Sequence, residues 1–125
     1  MNAQTLAQRA YSQADASTRT DRSVEYELLA RITHRIKTAA ETGPSAYPQL
    51  VEALYDNRRF WTALAIDVAD PNNKLPKELR AQVFYLSEFI QAHTGKVLAR
   101  KARLAPILEI NASILRGLRG RRPNT

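Results

Sequence analysis

The side chains best suited to chemistry lie in one short run, from Tyr55 to Trp61, which holds three aromatic residues and two arginines. Tyr, Trp and Arg are enriched at the energetic centres of protein interfaces, so this run favours binding. Arg58 falls on the same helical face as its aliphatic neighbours, where a charge needs a partner or access to water. Arg58 and Trp61 therefore have two interpretations. Either the arginine pairs with Asp56, Glu52 or a helix C-terminus beside an aromatic core residue, or both residues anchor a partner.

The other reactive side chains do not form a catalytic or metal-binding set. His34 and His93 are the only histidines, there is no cysteine, and neither histidine has a second ligand at a metal-binding spacing. Residues 93–96 resemble a phosphate-binding loop but lack its first glycine and its final serine or threonine. Asp67 and Asp70 are typical of solvated charges at a helix end. We therefore predict no enzyme activity, no cofactor and no metal, and we interpret His93 as a hydrogen-bonded core residue.

Positive charge is concentrated at one end of the chain. The net charge is +7, and residues 96–125 hold eight Lys and Arg against one Glu, whereas residues 1–95 are formally neutral. Clustered arginines can bind RNA phosphates. However, the last aromatic residue, Phe89, precedes the cluster, so the interleaved aromatics that stack on bases are missing. The pattern favours a solubilising tail or contact with an acidic partner over direct RNA binding.

The composition predicts an all-α fold, a single small helical bundle over residues 1–120 followed by a disordered basic tail, 121–125. Glycine is scarce, with four residues, and strand-type alternation is hard to find. Apolar residues recur at three- and four-residue steps within segments that are separated by Gly, Pro and Asn residues typical of helix ends and turns. We expect about five helices, near residues 3–14, 20–42, 45–69, 76–97, and from 106 to either 117 or 120.

Two of these helices differ in their expected burial. Residues 3–14 carry a seam of alanines, which bury little area, so this N-terminal helix should be weakly held. A polar linker, 15–19, should separate it from the next helix, which begins at a Thr20 N-cap. The helix starting at Pro76 has a heptad-like seam and should be the central, most buried one. Within it, Gly95 is interpreted as allowing close helix packing or a slight bend.

The last helix is apolar on more than one face, so it needs neighbours on two sides. In a small bundle one of those neighbours can be another protein. We therefore expect a partner to contact this helix through Ile107, Leu108, Ile114 and Leu118, together with the alanine-rich first helix. The chain has no apolar run long enough for a signal peptide or a membrane span, so we expect a cytoplasmic protein without membrane contact.

Several stretches together resemble the bacterial flagellar protein family FlaF. They are residues 55–61, Glu25-Tyr26-Glu27, Asn72-Asn73-Lys74-Leu75-Pro76 leading to Phe84-Tyr85-Leu86, and Glu109-Ile110-Asn111 with Arg116-Gly117-Leu118. The resemblance extends over about residues 2–118. The arginine-rich ending, 119–122, is not part of it.

The resemblance implies a role in flagellin production and secretion. The family is known for controlling flagellin synthesis and for assisting flagellin as a secretion chaperone, which needs no active site. We therefore expect flagellin as the partner, held as an amphipathic helix in an apolar groove. The alternative is a translational regulator of flagellin mRNA that acts through the basic C-terminus or through a second flagellar regulator.

Overall fold

The computed structural model describes the backbone of residues 3–120 and the side chains of residues 23–117. In chain order it contains α1 (Ala3–Thr42), a short 3-10 turn (Pro44–Ala46), α2 (Tyr47–Ala69), α3 (Lys77–Leu98) and α4 (Ala105–Gly120). No strand occurs within residues 3–120. The predicted all-α class is confirmed, with four α-helices rather than five.

The difference in helix count arises in α1, which is one continuous helix of 40 residues. The predicted linker at 15–19 and the Thr20 N-cap are therefore wrong. Small polar residues are weak helix formers, but extending an existing helix costs far less than starting a new one, so continuation overrides local propensity. The weak attachment of residues 3–14 stays a prediction, and the tail 121–125 lies outside the described residues.

The predicted ends of α1 and α2 are confirmed, because local backbone chemistry sets them. Gly43 has φ 97° and ψ −159°, a region that is accessible essentially only to glycine, and it ends α1. Pro48 lies in the first turn of α2, where its missing N–H costs nothing. After α2, the Asn72 N–H donates to the Asp70 carboxylate at 2.9 Å, and the Asn73 side-chain amide donates to the Asp67 carbonyl at 3.1 Å. These two bonds form the turn after α2.

α2 is the central helix of the bundle. It packs against α1 on one side and α3 on the other, whereas α4 packs mainly against α1 and touches α3 only lightly. The prediction that α3 is central and most buried is wrong. Its buried positions include the small polar Ser87 and Thr94, while Phe84 and Phe89 lie at the surface. The buried stripe of α3 is therefore narrow, and neighbouring helices leave the rest of its surface exposed.

The hydrophobic core lies where α1, α2, α3 and α4 pack against one another. Its fully buried large side chains are Leu29, Ile36, Leu54, Trp61, Ile90 and Ile107. Neighbours in sequence run antiparallel, and Asn111 of α4 lies level with Thr33 of α1 and Asn57 of α2. From there α4 runs toward the C-terminal end of α2. Within residues 3–120, no helix combines the length and hydrophobicity that a membrane crossing requires.

Candidate functional site

Trp61 lies at the centre of a buried polar network. Its indole N–H donates to Oδ1 of Asn111 at 3.0 Å. The Asn111 amide group in turn donates to Oδ1 of Asn57 at 2.8 Å and to Oγ1 of Thr33 at 3.0 Å. The Trp61 carbonyl accepts a 3.0 Å bond from the Ser87 hydroxyl. Hydrogen bonds through or beside this one tryptophan therefore link all four helices.

The network is fully enclosed and nearly saturated. Trp61, Asn57 and Asn111 have no exposed surface, and only Nδ2 of Asn57 lacks a partner among the network's described side-chain nitrogen and oxygen atoms. Buried amides that satisfy one another fix the relative position of the helices, because any shift leaves desolvated polar groups unpaired. The network thus sets the register of α4 on α1 and α2.

Arg58 connects α2 to α3. Its Nη2 donates to the Gln91 carbonyl at 2.8 Å, and the Gln91 side-chain amide donates back to the Arg58 carbonyl at 3.0 Å. A Cβ built on Gly95 would lie 3.3 Å from the same Nη2, so glycine leaves the room that the guanidinium occupies. The packing role predicted for Gly95 is confirmed. The geometry fits the structural interpretation of Arg58, although the partner is a main-chain carbonyl, since Asp56 pairs with Arg35.

The predicted partner-binding residues fall into different environments. Trp61 and Ile107 are completely buried and present no surface to a partner in this conformation. Leu108 is half-buried and packs against the core, and the Leu118 side chain lies outside the described ones. Ile114 is half-buried and lines an open groove. The structure therefore does not bring these residues together as one surface.

The groove that Ile114 lines is the candidate functional site, and we call it the α4 groove. It lies where the end of α2, the start of α3 and the second half of α4 meet, and its volume is about 270 Å³. Its walls are mostly aliphatic, since they consist of Leu64, Val68, Leu75, Leu79, Gln82, Val83, Leu86, Ser113, Ile114 and Gly117. It exists because α4 packs on α1 and only lightly on α3.

Sequence reasoning missed most of this groove. Leu79, Val83 and Leu86 belong to the heptad-like seam that was predicted to be buried, and Leu64 and Val68 lie on an apolar face of α2. Val83 and Val68 are indeed buried, but the leucines are only partly covered. Periodicity identifies an apolar face without showing whether a neighbouring helix covers it. A signal was present in Ser113 and Gly117, small residues that leave one edge of α4 open.

The basic end of the sequence is divided by the fold. Lys96, Lys101 and Arg103 lie at or before the start of α4, whereas Arg116 lies near its end. α4 begins at Ala105, so at 1.5 Å per residue Arg116 lies roughly 17 Å from the start of the helix. At the first group, the guanidinium of Arg100 lies 5.7 Å from the centre of the Tyr47 ring. The described cations therefore do not form one continuous patch.

His93 has a structural environment rather than a reactive one. Its Nε2 lies 2.7 Å from the Arg103 carbonyl, which fixes the loop before α4, and its ring stacks on Phe89 at 5.0 Å. The predicted hydrogen bond is confirmed, although the side chain is half-buried rather than in the core. Within the part of the chain that the structure describes, no three His, Asp or Glu side chains cluster as metal ligands.

Comparison with known proteins gives one match. A family model described as flagellar protein FlaF matches residues 7–118, which include the α4 groove and the polar network. No curated protein and no solved structure matches the chain.

Proposed function

The chain belongs to the FlaF family of flagellar proteins, and from this premise we propose that it binds flagellin as a cytoplasmic secretion chaperone and thereby influences flagellin synthesis. The flagellar role follows from the family. The apolar α4 groove is the observation that carries the finer proposal. It is a preformed, mostly aliphatic pocket bordered by three helices, which can receive apolar side chains from one face of an amphipathic helix.

The chemistry of the groove suits an unassembled flagellin subunit. Such a subunit exposes apolar helical ends that would aggregate or assemble early if they were left uncovered. Leu75 in the loop before α3, Leu79 on α3 and Ile114 on α4 offer aliphatic contacts to such an end. Binding there removes apolar surface from water, which is the driving force that a chaperone needs and which requires no catalytic group.

The proposed function is tested by measuring flagellin binding to groove variants. Ser113→Phe fills the groove from an exposed position without burying a charge, and Ile114→Asp places a carboxylate in it. We expect both variants to weaken flagellin binding at least tenfold, since burying an uncompensated charge or displacing a helix costs more than about 1.4 kcal/mol. The matched control is Ile66→Asp, because Ile66 is an aliphatic residue 69% exposed and does not line the groove.

Two further readouts make the test decisive. Circular dichroism and thermal melting of each variant show whether the fold is intact, so that loss of binding is not loss of folding. Flagellin that co-purifies with folded Ser113→Phe at the wild-type level would show that the groove is not the client site. Co-purified RNA that dissociates steeply as salt rises would instead indicate the regulatory alternative.

A further inference from the structure

The C-terminal end of α3 is capped by a residue that is rarely found in its backbone conformation. The Arg100 N–H donates to the Val97 carbonyl at 3.0 Å, and the Lys101 N–H donates to the Lys96 carbonyl at 2.8 Å. This pair of bonds is a Schellman motif, in which the left-handed residue is usually glycine because a Cβ is unfavourable there. Here that residue is Arg100, with φ 60°, and within the backbone that the structure describes every other residue with positive φ is glycine. The arginine therefore stands here in spite of its backbone preference.

Arg100 belongs to a group of four cations that this cap holds together. The bond from Lys101 to Lys96 ties the loop to the last turn of α3, and the Arg103 carbonyl lies 2.7 Å from Nε2 of His93, three residues before Lys96. All four basic side chains are exposed. We call Lys96, Arg100, Lys101 and Arg103 the basic cluster.

The basic cluster is not neutralised by the protein around it. Among the residues whose side chains the structure describes, none gives a cluster side chain an ion pair or a hydrogen bond. The sequence holds no Asp or Glu between Glu88 and Glu109. Glu52, the first acidic residue of α2, lines a groove between α1 and α2 together with Arg35 and Asp56 instead. Neighbouring like charges without counter-charges create a positive potential that attracts anions from outside.

The fold also places aromatic rings beside the basic cluster. In the sequence the last aromatic residue, Phe89, precedes the cluster, which counts against RNA binding. In the structure, however, the Arg100 guanidinium lies 5.7 Å from the centre of the ring of Tyr47, at the start of α2, and Tyr47 stays 39% exposed. Phe89 is 36% exposed and stacks on His93 at 5.0 Å. The aromatic component that is missing from the basic end of the sequence is thus supplied from α2 and α3.

We propose that the basic cluster and Tyr47 bind single-stranded nucleic acid, with phosphates on the four cations and a base on the exposed part of the Tyr47 ring. Proteins that bind single strands combine cations along the backbone with aromatic rings on which bases stack. An acidic peptide would pair with the cations but needs no aromatic contact, and the bases of a duplex are already stacked on one another. The inference goes beyond the proposed function and does not depend on it, since no residue of the cluster lines the α4 groove.

The first experiment measures how the purified full chain binds a fluorescent single-stranded RNA of about 12 nucleotides at several salt concentrations. We expect binding at low salt that weakens as salt rises, because each phosphate contact releases counterions. Lys101→Ala should weaken binding several-fold and reduce the slope of log K against log salt by about 0.7. Arg31→Ala is the matched control, since it removes an exposed cation of α1 and the same net charge, and it should change neither quantity. A wild-type chain that does not bind the RNA at low salt would overturn the proposal.

The second experiment separates stacking from charge. Tyr47→Leu removes the ring and keeps every cation, so we expect RNA binding to weaken about tenfold with an unchanged salt slope. Binding of a glutamate peptide of similar length should be weaker in the wild type and should not respond to this substitution. Circular dichroism shows whether the variant keeps its helix content. A folded Tyr47→Leu chain that binds RNA as the wild type does would mean that the cluster accepts any anion, and the proposal would be wrong.

The third experiment uses the left-handed backbone of Arg100. Glycine adopts this conformation without the Cβ penalty, so Arg100→Gly should melt at the wild-type temperature or above it, yet bind RNA several-fold more weakly. A lower melting temperature with unchanged RNA binding would mean that the cation only stabilises the C-terminal end of α3, and would contradict the proposal. So would RNA binding that survives Arg100→Gly combined with Lys101→Ala but is lost when Arg121 and Arg122 are replaced by alanine, because the contact would then belong to the tail.

Discussion

The two halves of α4 are held in different ways. The first half is fixed at Asn111, which bonds to Trp61 and Asn57 of α2 and to Thr33 of α1. The second half borders the α4 groove, and its described polar bonds, from Ser113 and Arg116, stay within α4. Hydrogen bonds thus fix α4 at Asn111. Over the next two turns, the aliphatic side of α4 that borders the groove stays uncovered. The bundle can leave an apolar groove uncovered without losing a defined structure.

The largest effect should follow from breaking the polar half. Asn111→Ala leaves the Trp61 indole N–H and the Asn57 carbonyl oxygen buried without partners. We expect a loss of about 2–4 kcal/mol in the free energy of unfolding, because each unpaired buried polar group costs about 1–3 kcal/mol. Urea denaturation at one fixed protein concentration measures it.

The matched control for Asn111→Ala is Ser113→Ala on the same helix. The Ser113 hydroxyl is exposed and bonds within α4, so its removal should change stability by less than about 0.5 kcal/mol. Equal losses in the two variants would mean that the buried network does not hold α4. The two halves of α4 would then differ in their packing but not in how strongly they are held.

A smaller effect is expected at the α2–α3 seam. Arg58→Ala removes the bond to the Gln91 carbonyl but leaves the reverse bond from the Gln91 amide, so we expect a loss of about 1–2 kcal/mol. Lys96→Ala, an exposed cation on α3, should change stability by less than about 0.5 kcal/mol. Flagellin binding should be unchanged in both, because neither residue lines the α4 groove.

Arg58→Ala also separates the two interpretations of the arginine. A variant that melts like the wild type but no longer binds flagellin would establish the anchor role. A variant that is less stable and binds normally would establish the structural one. The bond to Gln91 and the fit over Gly95 favour the second outcome.

The comparison also shows which features the sequence could predict. The starts of α2, α3 and α4 were predicted within about two residues, because Pro48, Pro76 and Pro106 restrict the backbone locally. The continuity of α1 was not predicted, since helix extension depends on the preceding turns rather than on residues 15–19 themselves. Residues that restrict the backbone can be identified in a sequence, whereas the continuation of a helix through weak helix formers cannot.

Burial was harder to predict than helix position. The sequence placed Ile107 at a partner surface, but it lies in the core. For Trp61 it left a core position and a partner anchor open, and the residue is buried. The leucines of the α3 seam, predicted to be buried, are only partly covered. Hydrophobic periodicity shows that a face is apolar, and only the three-dimensional arrangement shows which face is covered. The Asn111 network was missed because its members come from three helices, with Thr33 and Asn111 far in the chain from Asn57 and Trp61.

The smallest predicted effect has the opposite sign and concerns the open half of α4. Gly117 lies inside the helix, and a Cβ built on it meets nothing within 4 Å. Gly117→Ala should therefore stabilise the protein by about 0.5–1 kcal/mol, the usual gain for alanine over glycine in a helix. If the α4 groove receives a client, Gly117 leaves space for that client but lowers the free energy of unfolding. The alanine variant should then melt at a higher temperature and bind flagellin more weakly than the wild type. Higher stability with unchanged binding would assign the glycine no role in the groove.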